Sequence, residues 1–226
     1  MQGSSSFSPP PLVAAGAAIE AASFRVIEEQ VGDRSLYDPR QWIVVRRMIH
    51  TSGDFAFNGL TLFHPRAIEA GVAALAGGTH LILDVEMIRA GLAPRRLNRL
   101  NLTLHQLNAA PEVIARAQAE GITRTAAAMR EIHRRGHLEG AVIAIGNAPT
   151  ALLELIRLVR EEGVRPALVI GVPVGFISAA ESKEALTGLD ETPWMTIRGS
   201  KGGSTLAVAA LHAWMDLALD PPDPPA

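Results

Sequence analysis

Apolar residues recur along this chain in two registers, and the alternation between them predicts the fold. Four short runs are apolar almost throughout: THLILD (79–84), AVIAIG (141–146), PALVIG (166–171) and WMTIRG (194–199). Runs of that length, rich in Val and Ile, read as strands buried on both faces. LNLTL (100–104) reads as a further strand. Between the runs the spacing changes to that of helices. LVAAGAAIEAASFRVIEEQV (12–31) predicts a helix, and Asp38-Pro39 marks the start of the next, a cap followed by a first-turn proline. In that helix Trp42, Val45 and Ile49 recur on one face. Others are expected from Pro65 to Leu75, just after 84, and over 111–120, 123–135, 148–163, 178–187 and 203–217.

Strands alternating with helices indicate an α/β fold: one domain with a mostly parallel, Rossmann-like sheet and helices on both faces. The domain is expected to run from 12 to 219, with Ser/Pro-rich residues 1–11 and the tail 220–226 as disordered ends. In such a sheet the ligand crevice lies beyond the carboxyl ends of the strands. DVEM (84–87), GNAPT (146–150), GVPVGF (171–176) and RGSKGGS (198–204) all fall there.

Composition narrows the functional classes. The chain of 226 residues is 48% hydrophobic, 19% charged and 4% aromatic, which suits a sizeable aliphatic core. A formal net charge of −2 provides no broad basic surface, so nucleic acid is not an expected partner. With no cysteine there is no disulfide, thiolate nucleophile or cysteine metal site. The N-terminus lacks the charge-then-apolar pattern of a secretory signal, and the longest uncharged stretch, 167–180, is short and broken by Gly171, Pro173 and Gly175. The protein is therefore expected to be cytoplasmic and not to associate with a membrane.

Candidate chemistry comes next. Asn147 stands at a strand-to-helix turn, where free N–H groups attract an anion; a turn with no further role explains the same residues. Lys201, with Gly202 and Gly203 before a helix, can make an anion cradle. No P-loop, dinucleotide fingerprint or G-x-S-x-G elbow occurs. Glu181 and Lys183 read as solvated surface, although one of them could face the crevice. His133 and His137 are four apart, but Gly136 interrupts the helix and no third ligand is apparent nearby, so a solvated face is favoured and no metal is expected. His50 falls in the last turn of its helix, sharing a face with Arg46 and Arg47. The arginines oppose a proton there and the helix end favours one, a balance suited to proton transfer; a simple helix-end histidine fits too.

Several segments together resemble the precorrin-8X methylmutases, which act on the corrin ring. They are RMIHTSGD (47–54), LILDVEMIRAGL (81–92), GITRTAAAM (121–129), AIGNAPTALLELI (144–156), PALVIGVPVGFISAAESKEAL (166–186) and GSKGGSTLAVAAL (199–211), in the family's order. The resemblance spans about 17–214. It implies an α/β homodimer without a cofactor that shifts a methyl group from C-11 to C-12 of precorrin-8X, or of cobalt-precorrin-8, to give the corrin product. It also implies that His50 is catalytic, that Arg47, Ser23 and Arg124 contact the substrate, and that Arg46 and Arg47 serve its carboxylates. The chain departs from the family pattern at several places, among them TRT for TRS and LHAW (211–214) where NAL is usual. A non-catalytic corrinoid carrier and a nucleotide-dependent transferase are the competing readings.

Overall fold

Val142–Ile145 is buried along its whole length, and the rest of the sheet is built out from it. The computed structural model describes residues 15–220, so the expected tails, 1–11 and all of 220–226 but Asp220, lie outside the described residues. In chain order the elements are α1 (Ala15–Gln30), α2 (Pro39–Ser52), α3 (Phe57–Leu60), β1 (Thr61–Phe63), α4 (Ala67–Ala76), β2 (His80–Leu83), α5 (Glu86–Gly91) and α6 (Pro94–Arg99). There follow β3 (Thr103–His105), α7 (Pro111–Glu120), α8 (Arg124–Arg134), β4 (Val142–Ile145), α9 (Pro149–Glu162), β5 (Leu168–Gly171), α10 (Ala179–Thr187), β6 (Trp194–Ile197) and α11 (Ser204–Leu219).

The six strands form one sheet in the order β1-β6-β5-β4-β2-β3. All neighbours are parallel except β1, which pairs antiparallel with β6. The α/β, mostly parallel reading therefore holds. Side chains alternate across the pleat. Leu81, Leu83, Val142, Ala144, Leu168 and Ile170 join one core with α2, α4 and α11, centred on the fully buried Trp214. Ile82, Ile143, Ile145 and Val169 face the other way, into a core with α8, α9 and α10.

Three differences from the expected elements have local causes. The run at 100–104 is a strand only from Thr103 to His105, because α6 ends at Arg99 and Asn101 adopts φ 50°, a left-handed turn that breaks the extended chain. α6 itself starts at Pro94 and buries none of its residues, so no apolar period announces it. β1 is three residues long and exists through its pairing with Met195–Ile197, far along the chain.

Candidate active site

α2 is closed at both ends by its own sequence. The Asp38 carboxylate accepts from the N–H groups of Arg40 and Gln41, and the Gln41 side chain accepts from the Asp38 N–H, a reciprocal capping box ahead of Pro39. At the other end Gly53 adopts φ 67°, and its N–H bonds to the carbonyl of Ile49. Trp42, Val44, Val45, Met48 and Ile49 are buried, which leaves Arg46, Arg47 and His50 on the half-buried flank against α1.

On that flank Ser23 Oγ lies 2.8 Å from His50 Nδ1. The Phe24 ring meets the imidazole edge-on at 5.2 Å between centroids. The Arg46 guanidinium lies over the other ring of this stack, 4.4 Å from the Phe24 centroid. Both arginines have carboxylate partners within the chain: Arg46 pairs with Glu28 at 2.8 Å, and Arg47 with Glu20 at 2.9 Å and Asp216 at 3.2 Å. Arg96 holds the same Asp216 through two hydrogen bonds of 2.6 and 3.0 Å. The arginines beside His50 are thus not bare cations, as the sequence alone suggested. Arg46 in particular is committed to Glu28 and Phe24.

The glycine-rich segments gather at the carboxyl ends of the parallel strands. Gly202 has φ 159°, and a Cβ there would come within 2.2 Å of the Val172 carbonyl, so the loop before α11 lies directly on the end of β5. Lys201 forms an ion pair with Asp54, just beyond α2, and its ammonium lies 5.6 Å from the Phe57 ring centroid. That contact brings the β6–α11 loop to the His50 end of α2. The rim is also apolar: Phe176 and Ile177 are 97% and 84% exposed, on the loop after β5.

The N–H groups expected to await an anion beside Asn147 already have one. Asp84, buried at the end of β2, accepts from the N–H groups of Gly146, Asn147 and Ala148 at 3.2, 2.8 and 2.8 Å. Burial pushes its carboxyl pKa up, while the three N–H bonds pull it down. The reading of these N–H groups as free to attract an anion is therefore corrected: they are taken by a side chain of the protein, whose carboxyl pKa burial raises. The Asn147 side chain is exposed above it. Arg124, the first residue of α8, is also exposed and makes no ion pair among the described residues. Its neighbour Thr123 caps α8 and lies 2.7 Å, oxygen to oxygen, from Thr150 at the start of α9, which joins the starts of the two helices.

Of the six expected site residues, then, Ser23, Arg47 and His50 form one contiguous group. Lys201 pairs with Asp54 just beyond α2, Asn147 follows the end of β4, and Arg124 opens α8. Lys183 departs from its expected surface position: it is 2% exposed, and its ammonium donates to the Lys201 carbonyl at 2.6 Å. Burial lowers its pKa to about 8. It lines a cavity of about 490 Å³ with Phe63, Trp194 and Arg198, and none of the six expected residues lines that cavity. His133 and His137 do not act together either: His133 pairs with Glu162 at 2.8 Å, and His137 turns to His80 and His105. The pattern also did not single out Asp84, Glu20, Asp216 or His212. His212 accepts from the Ala93 N–H at 3.2 Å; burial, then Arg96 and Arg47, lower its pKa to about 4. Its place in the LHAW departure from the family pattern was the available signal.

Residues 18–217 match the family model described as precorrin-8X methylmutase. The cobalt-precorrin-8 methylmutase of Leptospira interrogans is 42% identical over 203 residues, covering 88% of this chain and 92% of its own. The precorrin-8X methylmutase of Pseudomonas aeruginosa is 40% identical over 199 residues, covering 88% and 94%. Among solved structures, the precorrin-8X methylmutase of Thermus thermophilus superposes with a TM-score of 0.85 at 46% identity, covering 91% of this chain and 97% of that one.

Proposed function

The chain belongs to the precorrin-8X methylmutase family, isomerases of cobalamin biosynthesis, and from that premise we propose that it moves a methyl group from C-11 to C-12 of precorrin-8X or cobalt-precorrin-8, with His50 as the proton donor. The observation that carries the assignment of His50 is its contact with Ser23 at 2.8 Å. As the imidazolium, His50 donates its Nδ1–H to the Ser23 hydroxyl oxygen and carries a second proton on Nε2, the nitrogen left for the substrate; giving up that proton leaves a neutral ring. An N–H at that point hydrogen-bonds to the conjugated ring or protonates it near the migrating methyl group. Withdrawing electrons there eases the shift, and the proton returns to Nε2 once the methyl group has moved, so the reaction is a net isomerisation. Positioned acid catalysis of this kind contributes about 10²–10⁴-fold.

The substrate is a flat ring bearing several carboxylates. Exposed Phe176 and Ile177 suit the apolar face of such a ring. Arg124, exposed and without an ion pair among the described residues, suits a carboxylate at its edge, and the exposed Asn147 side chain offers a further hydrogen-bond donor. Arg47 and Lys201 reach a substrate carboxylate by exchanging it for Glu20 and Asp54. We further propose that the enzyme works as a cytoplasmic homodimer: the dimer rests on the family resemblance, and among the described residues no helix is long and apolar enough to cross a membrane.

The test is a visible-absorbance assay with precorrin-8X and, separately, its cobalt form. Conversion of the chromophore at substoichiometric protein supports the reading and identifies the substrate. A shift that saturates at one ligand per site without turnover would mark a carrier instead.

A further inference from the structure

His80, His105 and His137 belong to three separate segments: the first residue of β2, the last residue of β3 and the turn after α8. The fold brings them together half-buried at one edge of the sheet. His105 Nε2 lies 3.0 Å from His80 Nδ1, and the three ring centroids are 4.5, 4.6 and 4.9 Å apart. One ring nitrogen from each residue lies within 4.8 Å of the other two. Among the described residues, the only side-chain hydrogen bond these rings make is the one between His80 and His105. That bond accounts for two rings and leaves the approach of His137 unexplained.

We propose that His80, His105 and His137 bind one imidazole-preferring divalent transition-metal ion, with water in a fourth position. A tetrahedral ion with bonds of about 2.0–2.1 Å needs ligand nitrogens roughly 3.3 Å apart, which small side-chain rotations reach from the spacing present. Three imidazoles without a thiolate or carboxylate suit Zn²⁺ and its first-row neighbours rather than Mg²⁺ or Ca²⁺. The ligands bind as neutral imidazoles, so metal binding competes with protons.

The site is remote from His50 in the architecture. His105 stands opposite Ile82 in the β2–β3 register, and His80 is two residues from Ile82, so both share its face of the sheet. That face packs against α8 and α9, whereas α2 packs on the other. An ion there would pin the edge strand β3 and the α8–β4 turn to β2. Its role is structural, and the inference does not depend on the methylmutase reading.

The experiment is calorimetric titration of the full chain, without a histidine tag and stripped with chelator, using Zn²⁺ alone. One saturable equivalent per chain is expected, with a rise in Tm that chelator reverses. His105→Ala and His137→Asn should each weaken binding by about 100-fold or more and abolish the Tm rise. His137→Asn sits in a turn, so it keeps the test valid should the strand substitution impair folding. His133→Ala, outside the cluster, should bind as the parent does. No saturable binding, or binding that survives both cluster substitutions, would overturn the proposal.

Discussion

Ser23 Oγ and His50 Nδ1 lie 2.8 Å apart, joining helices whose two residues are 27 positions apart in the chain. The contact fixes which imidazole nitrogen is left for chemistry. His50→Ala is therefore expected to retain corrinoid binding and lose turnover by about 10²–10⁴-fold. Ser23→Ala, which removes only the orienting hydroxyl, should lower kcat by less while leaving KM nearly unchanged. Single-turnover absorbance with parallel binding titrations checks both; turnover unchanged in His50→Ala would remove the histidine from the mechanism.

Asp84 is the second test, because its carboxyl group serves three N–H groups in the turn between β4 and α9. Asp84→Ala leaves those donors without an acceptor, and each buried polar group left unpaired costs about 1–3 kcal/mol. Loss of about 3 kcal/mol or more in urea unfolding is expected. Asp84→Asn keeps one acceptor oxygen and should cost less. If Asp84→Ala is as stable as the parent, the carboxylate does not hold this turn.

His212 is expected to make the protein acid-sensitive. Its folded pKa of about 4 lies below the ordinary 6.5, so between those values the unfolded chain binds a proton that the folded one refuses. Stability then falls as pH drops from about 6.5 to about 4. His212→Gln should flatten part of the decline in a series of urea melts from pH 7 to pH 4, and an unchanged slope would show that His212 titrates normally.

Lys183 acts at the opposite end of the pH scale. Its folded pKa of about 8 lies below 10.5, so the buried amine is a liability wherever both states are protonated. Stability attributable to this group is expected to rise as pH increases from about 8 to about 10.5. Lys183→Met, which fills similar volume without the charge, should lack that rise and should melt no lower than the parent at pH 7. Parallel pH-dependent slopes in the two proteins would contradict the assignment.

What the sequence determined by itself was whatever depends on neighbours a few residues apart. Asp38, Pro39, Gln41 and Gly53 set the limits of α2 through local hydrogen bonds and backbone angles. The apolar runs at β2, β4, β5 and β6 identified a parallel sheet, because only strands covered on both faces are apolar throughout. His50 stood out because its position in the last turn follows from the same local rules. The tertiary structure alone decided the partners. Arg47 finds Asp216 across 169 residues, and Asp84 finds the amides of the β4–α9 turn across more than 60, which turns an expected ligand site into an internal hydrogen-bond acceptor site. His137 was read with His133 because they share a stretch of chain, yet its neighbours are His80 and His105. Strand order places those residues together, and strand order is fixed by the packing of the whole sheet, which no local spacing encodes.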